Sequence, residues 1–268
     1  MKTKIAVAII AAAFLISGIF LWHNISKAPQ APKIVKSKVA KKVKPKIEEK
    51  ARVAIVMDDF GYNTHQLDAM FSIDEPITLS ILPDLPYSRK VAESARQRGY
   101  EVILHLPLEP HRNDVSEEAG TIKSGMPEEE VRKKLTKDIA RIPGLTGVSN
   151  HMGSKATEDA KLMLSIFKYL KKQRLYFFDS LTSEVSVCRE TAKLAGIKYA
   201  RRDIFLDNSE DPVYIEKQLK SFEEFALKNG KAIAVCHDRK NTVAVLAKVM
   251  PSMAKRGIKF VFLKEMVK

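Results

Sequence analysis

Residues 51–268 predict an α/β barrel, distorted and seven- or eight-stranded, and three features predict it. Short apolar or β-branched runs alternate with longer stretches of helical period. Glycines stand between a helical stretch and the next apolar run, at Gly99, Gly196, Gly230 and Gly257, as C-terminal helix caps do. Seven or eight such units suit a closed or nearly closed barrel better than an open sheet, with a doubly wound sheet as the alternative.

In chain order, the apolar runs are residues 52–59, 78–83, 101–107, 147–152, 176–180, 198–208, 231–237 and 258–266. Most are four to eight residues long, enough for a strand and too short for a buried helix. The stretches of helical period are 64–71, 87–98, 128–141, 156–173, 185–195, 213–228 and 242–255. Because each follows a strand and precedes another, the expected units are βαβ crossovers on a parallel sheet.

The net charge of +14 has a local origin. Residues 1–50 hold 11 lysines and two glutamates, whereas residues 51–268 hold 35 basic and 30 acidic residues. The globular part is therefore only mildly basic. Residues 27–50 carry no aromatic side chain on which bases could stack, so nucleic acid is not an expected partner.

Lys2 and Lys4 precede an apolar run from Ile5 to Trp22, broken only by Ser17 and Gly18 and long enough to cross a bilayer. No small-x-small cleavage site follows, so residues 1–26 read as a signal that stays as an inner-membrane anchor. The downstream lysines by themselves favour a cytoplasmic domain. The short basic start before an apolar run is an export signature, and it places residues 51–268 in the periplasm or outside the cell. Residues 27–50, with Pro29, Pro32 and Pro45 among lysines, form a stiff, self-repelling tether or contact an acidic surface. Cys188 and Cys236 either pair or are small core residues, and the core reading is the expected one.

Strand carboxyl ends build the active sites of such folds. Here they carry Asp58-Asp59, His105, Asn150-His151, Asp179-Ser180 and His237-Asp238. An Asp pair alone is more often a turn or helix cap, and a lone strand-end histidine more often structural. Three of the six histidines at the ends of three different strands point instead to a site. Adjacent carboxylates repel, and a cation or a retained proton relieves the repulsion. His105 and His151 offer imidazole ligands, and one carboxylate completes three protein ligands with an open position, the catalytic form of a zinc-type site. Such an ion acidifies water and polarises a carbonyl. The other aspartate is then the base, and a histidine across the site the acid. Asn150, Asp179 and Ser180 are the expected substrate contacts, although Asp179-Ser180 would equally cap the next helix. His65 and His111 read as surface residues, Asp203 is ambiguous, and Asp207-Asn208 looks like turn chemistry.

The segments 54–61 (AIVMDDFG), 105–110 (HLPLEP) and 147–154 (GVSNHMGS) resemble the divergent polysaccharide deacetylase family. Residues 177–180 (FFDS) and 202–208 (RDIFLDN) are similar too, and the likeness covers essentially all of residues 51–268. The resemblance implies a distorted, usually seven-stranded barrel, often periplasmic behind a signal or anchor. It makes Asp58 the base, Asp59 a metal ligand and His237 the general acid of a reaction that removes N- or O-acetyl groups from sugars. The wider superfamily carries a second histidine four residues after the first, where this chain has Glu109. The second imidazole is therefore expected from His151. The expected protein is a metal-dependent deacetylase, zinc first, acting on envelope or peptidoglycan-type polysaccharide. The rival is an inactive glycan-binding or envelope-assembly protein of the same fold. A metal phosphoesterase would show more Arg or Lys at strand ends than Arg201-Arg202.

Overall fold

The protein is described by a computed structural model that covers residues 48–112, 118 and 120–268. The anchor reading of residues 1–26, and all but the last three residues of the tether, lie outside the described residues. Residues 46–268 are a compact unit by themselves. In chain order the elements are β1 (Ala51–Phe60), α1 (Leu67–Phe71), β2 (Thr78–Ile81), α2 (Ser88–Gln97), β3 (Val102–Leu108), α3 (Glu128–Arg141), β4 (Gly147–Met152) and α4 (Ala160–Lys172). Then follow β5 (Tyr176–Asp179), α5 (Cys188–Ala195), β6 (Tyr199–Arg201), β7 (Ile204–Phe205), α6 (Pro212–Asn229), β8 (Lys231–His237), α7 (Lys240–Lys255) and β9 (Ile258–Phe260).

All paired strands are parallel, in the order β6-β5-β4-β3-β2-β1-β8-β7, with β9 beside the start of β1. Neighbours in space are neighbours in sequence, and the chain returns from β1 to β8. That is a curled, barrel-type order, and it removes the doubly wound alternative. The predicted run 198–208 is divided. The Arg202 N–H donates to the Asp179 carbonyl on β5, whereas those of Asp203 and Leu206 donate to Ile233 and Val235 on β8. One extended segment thus serves both ends of the sheet in turn. The last predicted run shortens to β9. Beyond it the chain crosses the floor of the barrel, where the Leu263 N–H reaches Thr78 Oγ1 and the Lys268 N–H the Tyr199 carbonyl.

Period-two alternation sorts the strand residues into two cores. Val53, Ile55, Met57, Leu104, Leu106, Phe177, Ala234 and Cys236 pack against the helices. Ala54, Val56, Ile103, Tyr176, Phe178, Ile233 and Val235 fill the barrel interior. Gly147 belongs to the inner row, where a Cβ would come within 2.3 Å of the Tyr176 ring. Cys188 and Cys236 are both free and buried, as core residues. Glu101, buried near the floor, accepts from Thr78, Thr146, Tyr176 and the Lys264 N–H, so its carboxylate is satisfied without a cation.

Candidate metal centre

The inner rows become polar at one level. Two residues beyond Val56 stands Asp58, beyond Ile103 stands His105, and beyond Val235 stands His237. On β4 the row runs Gly147, Ser149, His151, and on β2 it runs Thr78, Ser80. Strand pairing aligns them further, with Asp58 opposite His237 and His105 opposite Ser149. Apolar packing below therefore carries a ring of polar side chains at the strands' carboxyl ends.

Asp59 does not belong to that row by alternation, since it follows Asp58 directly. The β1–β2 register shifts between Met57 and Phe60, and Asp59 adopts φ +67°. A left-handed residue at a bulge turns its side chain away from the strand's ordinary alternation, and Asp is among the few residues that tolerate it. Both carboxylates consequently face the site. Asp59 Oδ1 lies 3.3 Å from His105 Nε2 and 3.2 Å from His151 Nδ1, and one ligand atom from each of the three residues falls within 4.8 Å of the others. The two imidazoles meet edge-on, their centroids 4.9 Å apart. Asp59 Oδ1 and His151 Nε2 are nevertheless buried without a hydrogen-bond partner. Buried polar atoms are seldom left so, and a carboxylate with two imidazoles is a donor set suited to a divalent transition metal.

The groups behind the ligands are ordered as well. His105 Nδ1 bonds Ser149 Oγ at 2.8 Å, and Ser149 Oγ bonds Ser80 Oγ at 2.8 Å. Asp58 Oδ1 is 3.6 Å from His105 Nδ1. Burial pushes the Asp58 carboxyl up, Asp59 adds to the rise, and His105 and the Ser80 hydroxyl oppose it. Burial also acts to raise Asp59, but its contacts with His105 and His151 win and hold it well below the usual carboxylate range. The two adjacent acids are thus driven in opposite directions, the pattern that separates a base from a ligand.

Across the site, His237 Nδ1 bonds Asp207 Oδ1 at 2.8 Å, while Asp207 Oδ2 accepts from the His237 N–H and from Thr242 Oγ1. Burial alone would depress the imidazole. The Asp207 bond and charge, with the charges of Asp59 and Asp58, raise it on balance. The Phe205 ring lies nearly parallel to the imidazole, and the Arg202 guanidinium sits 3.8 Å from the Phe205 centroid. Asp207 is therefore a partner of His237 rather than a turn residue. Sequence reasoning missed it, along with Ser80 and Ser149, because two of the three are unremarkable strand-interior serines and the third stands beside Asn208.

Asn150, Asp179 and Ser180 are all buried. Asn150 accepts from the Ser180 N–H and donates to the Met152 carbonyl. Asp179 accepts from the Leu181 N–H, Ser186 and Tyr199, and the Ser180 carbonyl accepts from Arg202. Ser180 Oγ is buried without a partner. His111 is exposed and pairs with Glu158, as a surface residue does. Glu109, where a second histidine was absent, holds Lys155 and the Ser124 N–H, and His151 stands at the cluster.

Residues 55–267 match the model of the divergent polysaccharide deacetylase family. The uncharacterized protein YibQ of Escherichia coli K12 is 33% identical over 199 residues, 74% of this chain and 62% of its own length. An uncharacterized protein of Haemophilus influenzae Rd is 35% identical over 196 residues, 73% of this chain and 70% of its own. The crystal structure of the uncharacterized protein ATU2773 of Agrobacterium tumefaciens C58 has a TM-score of 0.78 at 26% identity, covering 82% of this chain and 90% of that one. This chain thus spans less than two thirds of the Escherichia coli relative. With a family model matched over most of its length and the barrel order that goes with it, the chain belongs to the divergent polysaccharide deacetylase family.

Proposed function

We propose that the barrel is a metal-dependent hydrolase that removes acetyl groups from an envelope or extracellular polysaccharide. One observation carries the reading: Asp59, His105 and His151 converge from three strands, and two of their buried polar atoms make no hydrogen bond. A divalent cation held there supplies Lewis acidity to an acyl carbonyl oxygen and to water. Zinc is the first choice for two imidazoles and a carboxylate, and other divalent transition metals share that donor preference.

The chain's own groups divide the remaining work. Asp58, raised by burial, takes the proton of the attacking water. His237, whose hold on its proton Asp207 strengthens, returns a proton to the leaving amine or alcohol. Ser149 accepts from His105 Nδ1–H and so keeps Nε2 turned toward Asp59, the role of an outer partner at a metal histidine. Asn150, Asp179 and Ser180 tie the ends of β4 and β5 to the following loop, and in this reading they hold the site's wall for the glycan.

Residues 46–268 are expected to release acetate from acetylated glycan oligomers, including peptidoglycan fragments, in the presence of a divalent metal. Chelation should abolish the release and added metal restore it. No release with any of zinc, cobalt, nickel or manganese would favour the inactive glycan binder. We also propose that the domain acts in the periplasm, tethered through residues 1–26. A reporter enzyme active only after export, fused after Lys268, is then expected to be active. A reporter active only in the cytoplasm would reverse the placement.

A further inference from the structure

The C-terminal segment 264–268 borders a feature that the hydrolase reading does not use. Two neighbouring cavities open on either side of it. The first, about 450 Å³, is lined by Arg189, Arg201, Lys231 and Lys268, and Asp203 is its one acidic side chain. That carboxylate already accepts from the Ile233 N–H at 2.8 Å. The second, about 380 Å³, is lined by Lys171, Arg174, Lys198 and Lys264, with no acidic side chain.

Several basic side chains elsewhere on the domain pair with carboxylates, among them Arg132 with Glu129, Lys137 with Asp84, Lys248 with Glu216 and Arg256 with Glu223. Among the described residues none of the eight cavity cations forms such a pair, and Lys171 donates instead to the Ala195 carbonyl. Burial and the neighbouring Lys268 depress the Lys231 ammonium, and the charge of Asp203 offsets this only in part. With 35 basic and 30 acidic residues, residues 51–268 carry a net charge of only +5, so this one sector holds more uncompensated charge than the domain's whole excess.

We propose that the two cavities together bind a phosphate-bearing anion. Arg189 and Arg201 in the first, and Arg174 in the second, offer planar donor forks that match phosphate oxygens, and the lysines add point charges. Two cationic cavities flanking one segment suit a ligand with more than one anionic oxygen group. Phe225 and Met266 give the first cavity an apolar wall, so a phosphate on a lipid stem fits as well as a free one.

The test uses residues 46–268, the compact unit, with two probes. Inorganic pyrophosphate is titrated by calorimetry, and co-flotation is measured with vesicles of phosphatidylcholine alone or mixed with phosphatidylglycerol. Arg201→Glu/Lys231→Glu and Arg174→Glu/Lys198→Glu are each compared with Lys133→Glu/Lys217→Glu, which makes the same charge change elsewhere. Each cavity variant should bind at least about tenfold more weakly than the control, with metal content and melting temperature unchanged. Binding to both probes, or to mixed vesicles alone, points to a headgroup; pyrophosphate binding alone points to a free phosphate; either supports the site. Equal weakening in the control, or no binding of the wild type to either probe at physiological ionic strength, overturns it. Because metal content is read separately, failure here leaves the hydrolase reading standing.

Discussion

Asp59→Asn is expected to strip the domain of its metal and to lower acetate release by at least about 10³-fold, while the protein stays folded. Asp59 Oδ1 is the oxygen that both imidazoles face, at 3.3 Å and 3.2 Å. It remains ionised because its carboxyl is held well below the ordinary range despite its burial. The amide keeps the shape and, like aspartate, tolerates φ +67°. Alanine there would add a backbone cost of about 1–2 kcal/mol and confuse the reading. Lewis-acid polarisation contributes several kcal/mol to such a reaction, and about 4 kcal/mol corresponds to 10³-fold. Metal content by plasma mass spectrometry and melting temperature with and without added zinc provide the measurements. Ligand linkage predicts a gain of about 2.7 kcal/mol for wild type at 100 times Kd and none for the variant. Stoichiometric metal in Asp59→Asn would remove this residue from the ligand set, and with it the centre as drawn. His151→Ala should behave alike. Since His151 stands where Glu109 leaves an imidazole missing, an unaffected His151→Ala would mean that the departure from the superfamily pattern has cost the metal site a ligand.

The elements were legible because strand interiors and helix faces follow different periods, and because the four capping glycines have positive φ where the chain must reverse. The positions of His105, His151 and His237 were legible for a related reason. His105 and His237 continue inward-facing rows whose lower members, Ile103 and Val235, are apolar, so those runs point at the mouth, whereas His151 follows Gly147 and Ser149 and is marked by its place at the end of β4. Pairing partners were not legible. Nothing in residues 198–208 says that half the segment bonds β5 and half β8, since both halves present the same apolar, extended pattern. The same limit hid Asp207. Its neighbour Asn208 suggests a turn, and only the proximity of β7 to β8 brings its carboxylate to His237. Asp59 shows a third limit. Alternation would send it away from Asp58, and the bulge that returns it is a tertiary feature of β1 against β2. For Asn150, Asp179 and Ser180, position at strand ends was read correctly, but a strand-end polar residue can equally brace a loop. Their hydrogen bonds, directed largely at neighbouring backbone, are visible only in three dimensions.

Asp207→Asn should move the alkaline limb of the kcat/KM profile to lower pH and cut the rate at neutral pH by about 10² or more. The sign follows from the geometry. A general acid works only while protonated, and the Asp207 bond and charge are what lift His237 above its ordinary value near 6.5 against the opposing effect of burial. Without that charge the imidazole loses its proton earlier as pH rises. The amide cannot take over, because Asp207 accepts at once from His237 Nδ1–H, the His237 N–H and Thr242 Oγ1, and an NH2 group would confront one of these donors with another. Stability should respond in the same window. The raised histidine contributes fully below its ordinary value and loses that contribution as pH climbs through the raised one. The depressed Asp207 contributes above its ordinary value of 3.8 and loses it as pH falls toward the lowered one. The pair therefore stabilises the fold most between those limits, and the variant should flatten the melting-temperature profile there. His237→Ala is expected to cost about 10²–10⁴-fold while leaving bound metal in place, since His237 is not among the three clustered ligands. An alkaline limb that stays put in Asp207→Asn would assign the proton donor to another group, and loss of metal in His237→Ala would make the imidazole a ligand instead.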